Sequence, residues 1–357
     1  MCGARLVELL LERGAAHVIA FDLAPPDEAL QERFNALDQS KLTILSGPEG
    51  DLTSPEAVEK AFTILDQPLD VVYHIGALVG PFYDRDKYHE VNHYATIRII
   101  DLCKKYKVRK LVYSSSPSTR FTGADVTGQR EDELPMPNKW LAMYAEAKAY
   151  GEMAVSKAHS QELLTVSVAP HQVYGKHDKL FMPSLLETAG NERLRIFGNG
   201  QNKISVCHVD NYSHGLLCGA DALQSHDSVC GGKFYIVTDD HDVLFWDFIN
   251  QAIVAMGFTD LTTKFHLPVW LLYVAAYIAN VVGFLTNRKL KLNPFNVKML
   301  TIHRYFCIDN AKKDLQYQPI VEHEQGWEET IEWFKVNWLP TYYEKYGKEM
   351  PGHEKEE

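Results

Sequence analysis

The chain opens MCGARLVELLLERGAAHVIAFDLAPP (residues 1–26), and the order of elements within that stretch decides the fold. From Ala4 onward, Leu6, Val7, Leu10 and Leu11 recur at helical spacing, with Glu8, Glu12 and Arg13 opposite and Gly14 placed to end the helix. HVIAFD (17–22) then reads as a short buried strand closing on Asp22, about 20 residues beyond Gly3. A glycine opening a helix, followed at that distance by a carboxylate at a strand end, is the second half of a dinucleotide-binding unit, where the acid meets a ribose 2′-OH. The preceding strand and the first two glycines of a G-x-x-G-x-x-G loop are missing from the stretch. The expectation is therefore a sheet that lacks its first strand, with a gap or groove in its place.

Outward from there the first half alternates strand and helix. KLTILSG (41–47), LDVVYHIGAL (69–78), RKLVYSSS (109–116) and LLTVSVAP (163–170) are short β-branched runs, and one intervening helix starts at Ser54 as N-cap with Pro55 behind it. Apolar strands separated by helices predict a parallel, doubly wound α/β sheet of Rossmann type covered on both faces. Beyond Pro170 the alternation lapses. GNGQNK (198–203) is a turn, GKFYIVTD (232–239) a late strand that returns to the sheet, and WDFINQAIVAMGF a helix. The expected division is a dinucleotide-binding domain over 1–170, a substrate lobe over 171–345 and a solvated tail over 346–357.

The totals narrow the class. At 357 residues, 46% apolar and 23% charged, the chain can bury a full core, which excludes a disordered or fibrous protein. A net charge of −11 without a basic stripe argues against nucleic acid. Cys2, Cys103, Cys207, Cys218, Cys230 and Cys307 have no metal-like spacing, so reduced, packed thiols and no metal are expected. Asn211-Tyr-Ser is read as a chance sequon. LPVWLLYVAAYIANVVGFL (267–285) carries no charge and is followed by Arg288, Lys289 and Lys291. Its length reaches the threshold for a span, but Pro268, Tyr273, Tyr277, Asn280 and Gly283 weaken that reading, leaving a core helix, an interfacial helix and a span all open.

Tyr144 and Lys148 in MYAEAKAYGE stand four apart on a predicted helix and share one face, where an ammonium would favour the phenolate and make Tyr144 a general base. Chance alone supplies about one Tyr-x-x-x-Lys in a chain of this composition. Tyr83 with Lys87 and Tyr106 with Lys110 compete with it. Only the Tyr144 pair follows a hydroxyl at a strand's C-terminal end, 28 residues after Ser116, where open α/β sheets bind ligands.

Strand-SSS, then Y-x-x-x-K, with Asp22, GDLTSPEAV, HIGAL and VNHYAT, resembles an extended short-chain dehydrogenase/reductase along essentially the whole chain. The resemblance implies a catalytic set of Ser116 on the substrate oxygen, Tyr144 moving its proton, and Lys148 holding the phenolate and the nicotinamide ribose. It implies cofactor contacts from Gly3, Asp22 on the adenosine ribose, Asp51 and Leu52 on adenine, Gly76 and Ala77 as backbone, Ser114, Tyr144 and Lys148, and Pro170 with Val173 beside the nicotinamide. Asn92 matches the family's asparagine near the cofactor, with a helix-start cap as the competing reading. A carboxylate at Asp22, with no arginine following in DLAPP, favours NAD over NADP.

VAPHQVYGKHDKL, IFGNGQNKISVCHVDN, KFYIVTDDHDVLFWDF and HRYFCIDNAKKDLQYQPIVEHEQGWEETIEWFK resemble, in order, the 3β-hydroxysteroid dehydrogenase family, and the PHQVYG and FGNGQN segments its decarboxylating sterol-4α-carboxylate branch. The family's arginine before that proline is Ala169 here. The implied reaction is oxidation of a sterol C3 hydroxyl, after which a 4-carboxylate is lost as carbon dioxide. Implied partners are a sterol or steroid, a membrane surface of the endoplasmic reticulum or a lipid droplet facing the cytoplasm, and a second copy of the chain. A core helix at 267–285 would instead suit a cytoplasmic enzyme. The rival readings are a nucleotide-sugar epimerase or reductase, a 3β-hydroxysteroid dehydrogenase/isomerase, and a catalytically dead homologue whose motive is the missing glycine loop.

Overall fold

The computed structural model describes residues 1–80, 83–286 and 292–347. Twelve strands occur among them: β1 (Val18–Asp22), β2 (Leu42–Ser46), β3 (Val71–His74), β4 (Lys110–Ser114), β5 (Val126–Gln129), β6 (Leu164–Pro170), β7 (Val173–Tyr174), β8 (Lys203–Ser205), β9 (Cys207–His208), β10 (Phe234–Val237), β11 (Asp242–Leu244) and β12 (Arg304–Phe306). The apolar runs predicted as strands all form, from β1 through β10. Leu111, Val112, Val166, Val168, Ile236 and Val237 are fully enclosed, as strands covered by helices on both faces require.

The parallel sheet is in two pieces. β1 pairs only with β2, whereas β3, β4, β6 and β10 form a second, all-parallel piece in the order β10-β6-β4-β3. Among the described residues no strand joins β1 to β3, so each leaves an edge unpaired at the place where the sequence predicts a missing first strand. The late strand does return: β10 lies parallel to β6, with Val237 opposite Pro170. The helix Cys2–Glu12 packs on the helix Val209–Ala222, and Arg5 bonds Asp210 at 3.1 Å.

Six short strands escape the sequence reading. β11, β8, β12 and β5 build a second sheet that draws β5 from the first half of the chain, and β7 pairs with β9. Strands of two to four residues carry no readable period, and partners 30 to 180 positions away supply their stability. Asn211 is fully buried, with its amide on Asp239 and the Val321 carbonyl, so its sequon is inaccessible.

The apolar segment forms the helix Val269–Thr286. Among the described residues no helix is long and apolar enough to cross a membrane. Leu272 and Ala276 pack inward, while Trp270, Val274, Tyr277, Ile278, Val281 and Leu285 face outward, Trp270 at 69% and Leu285 at 76% exposed. The basic residues at 288–291 and the tail PGHEKEE lie outside the described residues.

Candidate active site

Two strand ends and one helix make the site. β4 delivers Ser114, Ser115 and Ser116 at its C-terminal end, β6 delivers Pro170 beside them, and the helix Met143–Ala158 lays Tyr144 and Lys148 along its first turns. Ser114 stands opposite Val168 in the sheet, and the Ser115 amide donates to the Val168 carbonyl at 2.9 Å, so the serine run is held in register with β6. Gly151 lets this helix come close: a Cβ there would lie 2.5 Å from the Asn92 carbonyl and 2.6 Å from the Tyr113 hydroxyl.

Ser116 lies close enough to Tyr144 to favour its phenolate, while the Ser116 hydroxyl shares a 2.9 Å hydrogen bond with that of Ser118. Burial outweighs that contact and pushes Tyr144 up to about 12, with the nearby Tyr88 phenol adding in the same direction. The expected effect of Lys148 on Tyr144 is not realised in this arrangement. The Lys148 Nζ turns to the Ser114 carbonyl at 2.5 Å and sits 4.1 Å over the Tyr113 ring. Burial pulls Lys148 down to about 7, against the opposing pull of the Glu152 carboxylate. Ser114 is also engaged at its hydroxyl, which accepts from Tyr212 at 2.5 Å.

The competing Tyr-Lys pairs are used elsewhere. Lys87 lies over the Tyr83 ring, Tyr106 donates to Glu59 at 2.6 Å, and Lys110 donates to the Ala220 carbonyl.

Around this centre, the residues assigned to a dinucleotide line the strand ends. Asp22 is exposed at the end of β1, and a Cβ on Gly50 would fall 2.0 Å from its carbonyl oxygen. That glycine, the first residue of GDLTSPEAV, is what lets the Asp51 turn lie against Asp22. Asp51 itself accepts from the Thr53 amide and hydroxyl, both at 2.8 Å, and the Leu52 carbonyl accepts from Arg98 at 2.7 Å. Gly3 sits in the first turn of its helix with open space around it, leaving backbone N–H groups there free to meet an anion. Gly76 is exposed, and Ala77, Pro170 and Val173 are half-buried.

Asn92 is not a helix-start cap. It is buried in a π-helical turn, Glu90–Tyr94, and its side chain accepts from the Leu78 amide at 2.8 Å and donates to the Leu78 carbonyl at 2.9 Å. It thus fixes the segment after β3 that carries Gly76 and Ala77.

Sequence reasoning missed Glu152, one turn beyond Lys148. Its carboxylate accepts from Ser115 at 2.6 Å, from Thr119 at 3.3 Å, and from Arg120 through two nitrogens at 2.7 and 2.6 Å. The spacing Tyr144, Lys148, Glu152 on one helix face was the available signal. Among the described residues no cluster of metal ligands occurs.

A profile of the 3-beta hydroxysteroid dehydrogenase/isomerase family matches residues 1–269. A human sterol-4-alpha-carboxylate 3-dehydrogenase, decarboxylating, is 30% identical over 93% of the chain and 85% of its own length. An Arabidopsis thaliana 3beta-hydroxysteroid-dehydrogenase/decarboxylase is 31% identical over 92% of the chain and 76% of its own length. A 2-alkyl-3-oxoalkanoate reductase of Shewanella oneidensis is 29% identical over 78% of the chain and 72% of its own length. Among solved structures, Pal from Bacillus thuringiensis superposes with a TM-score of 0.69 at 19% identity, over 94% of this chain and 96% of that one. A dTDP-glucose 4,6-dehydratase of Streptomyces venezuelae with NAD bound does so at 0.69 and 17%, over 96% of each chain. These two establish the fold.

Proposed function

Since the chain belongs to the 3-beta hydroxysteroid dehydrogenase/isomerase family, we propose that it is an NAD-dependent 3β-hydroxysterol dehydrogenase acting on 4α-carboxysterols with loss of carbon dioxide. The observation that carries the reading is Ser116 near Tyr144 at the end of β4, with Lys148 one turn along the same helix on the Ser114 carbonyl, in a chain alike over nine-tenths of its length to decarboxylating sterol dehydrogenases.

The strand-end residues fit the dinucleotide. The N-terminus around Gly3 suits its pyrophosphate, Asp22 the adenosine ribose, Asp51 and Leu52 the adenine, Gly76 and Ala77 a close backbone approach, and Pro170 with Val173 the nicotinamide. The exposed Asp22 carboxylate repels a 2′-phosphate. Arg33, the first arginine after Asp22 in the sequence, is already held by Glu8 at 2.6 Å, so NAD is favoured over NADP.

NAD supplies a hydride acceptor. Ser116 orients the substrate oxygen and Tyr144, as phenolate, removes the hydroxyl proton. Lys148 lies one turn behind, where swinging from the Ser114 carbonyl toward the phenolate would stabilise it. The resulting C3 ketone turns a 4-carboxylate into a β-keto acid. Its C4–carboxylate bond breaks with the electron pair passing to the ketone as an enolate, which is then protonated at carbon.

We further propose that the outward face of Val269–Thr286 lies on a membrane surface. Its exposed apolar residues recur at helical spacing with tyrosine and tryptophan among them, the composition of an interfacial helix. The cytoplasmic face of the endoplasmic reticulum or a lipid droplet, where sterol substrates reside, is the proposed location. A second copy of the chain is the other proposed partner, at the ring cluster of the exposed Tyr94 and Tyr150 with the half-buried His93 between them. An apolar substrate approach of this kind disfavours a nucleotide sugar, whose diphosphate needs basic contacts. Supplying NAD with either a 3β-hydroxysterol or a nucleotide sugar tests the reading: reduction with the sterol alone is expected, and turnover of the nucleotide sugar alone would refute it.

A further inference from the structure

Arg304 opens β12 as a buried cation without an anion. The residue is 8% exposed; its Nη1 donates to His171 Nε2 at 3.1 Å, its Nη2 to the Met299 carbonyl at 2.8 Å, and its Nε has no partner. The deeply buried Arg120, by contrast, is matched by the Glu152 carboxylate, and the partly buried Arg5 and Arg33 pair with Glu8, Arg5 also with Asp210. A guanidinium enclosed with only neutral partners is costly, and buried charges are as a rule paired.

His171 cannot supply the missing charge. Its Nδ1 lies 2.6 Å from the Ser205 carbonyl and must donate to it, which leaves Nε2 as the acceptor for Arg304. The imidazole is thereby fixed in its neutral form, and burial with the adjacent guanidinium holds its pKa down to about 3. Among the described residues no carboxylate meets Arg304. Its surroundings place it at the site: His171 directly follows Pro170, and the Phe121 ring, 5.9 Å from the guanidinium, ends the turn that begins at Ser116. The loops that carry the proposed substrate hydroxyl contact and the nicotinamide wall are the two that close on Arg304.

We infer that Arg304 receives the carboxylate of the substrate and selects acids over neutral sterols. The inference rests on the dehydrogenase reading above and deepens it. A 4-carboxylate sits on the carbon next to the one oxidised, so its receptor belongs on the loops flanking Ser116 and Pro170, away from the helix N-terminus at Gly3 suited to the dinucleotide phosphates. A planar fork with a free N–H is suited to bind a carboxylate through two oxygens.

The test compares a 4α-carboxysterol, its methyl ester and the 4-unsubstituted 3β-hydroxysterol, each with NAD, in the wild-type protein and in Arg304→Gln and Arg304→Lys. Losing a charged hydrogen-bond partner should lower kcat/KM for the acid by about 10- to 100-fold, mostly through KM, in Arg304→Gln. The ester and the unsubstituted sterol should change little, and Arg304→Lys should recover part of the loss. An equal fall for all three substrates would overturn the inference. Should both variants fail to fold, the wild type decides: a preference for acid over ester of about tenfold or more is expected, and equal use of both refutes it. A wild-type protein that reduces no NAD with any of the three sterols refutes the dehydrogenase reading itself, and the inference with it. Oxidation of all three without regard to charge removes only the role of Arg304.

Discussion

Arg120 and Glu152 close on each other at 2.6 Å with side chains 10% and 4% exposed, and the same carboxylate holds the Ser115 hydroxyl. The pair ties the loop leaving β4 to the helix that carries Tyr144 and Lys148, so it sets where Ser116 stands relative to Tyr144. Arg120 is further seated over the Phe234 ring at 3.7 Å on β10. One interaction thus joins three elements of the site.

Glu152→Ala should therefore lower both stability and rate. Breaking a buried pair from one side leaves Arg120 unpaired, at about 3–5 kcal/mol. Glu152→Gln, which keeps the shape and the Ser115 contact, should cost less. Thermal unfolding and kcat measured side by side check this; a variant with unchanged Tm and kcat would show that the clamp is idle.

Tyr144→Phe should reduce oxidation by about 10²–10⁴-fold while leaving NAD affinity by isothermal titration nearly unaltered, because only the proton transfer is removed. Ser116→Ala should cost less, since it orients the oxygen without accepting its proton. Comparable activity in Tyr144→Phe would mean that another group is the base.

The pH dependence follows from the direction of the Tyr144 shift. Its phenol is raised to about 12, so the phenolate required for oxidation grows as pH rises, and kcat/KM should climb from neutrality to beyond pH 9. A profile flat between pH 6 and 9 contradicts this assignment.

Val269–Thr286 makes a separate prediction. Ile278→Glu with Val281→Glu places two charges on its outward face, at positions without core contacts, and should abolish sedimentation with phospholipid vesicles without changing the fold by circular dichroism. Equal vesicle binding by the double variant would remove the proposed membrane face.

The legible part of the molecule is the part that repeats. β1 to β4, β6 and β10 are readable because each is an apolar run long enough to be bounded by helices and turns, and the split between β1 and β3 stands where the sequence reading expects a strand to be missing. Ser116, Tyr144 and Lys148 were legible as a spacing. What Lys148 does was not, because its turn toward Ser114 and the Tyr113 ring depends on packing that no local pattern encodes. Neither Glu152 nor Arg304 is singled out in the sequence; burial shows one paired across two elements and the other without an anion.

The central claim is decided by incubating the protein with NAD and a 4α-carboxysterol labelled at the carboxylate, following NADH and labelled carbon dioxide together. The account predicts that both appear, in equal amounts. Neither product from the acid, while a plain 3β-hydroxysteroid is oxidised, would contradict it.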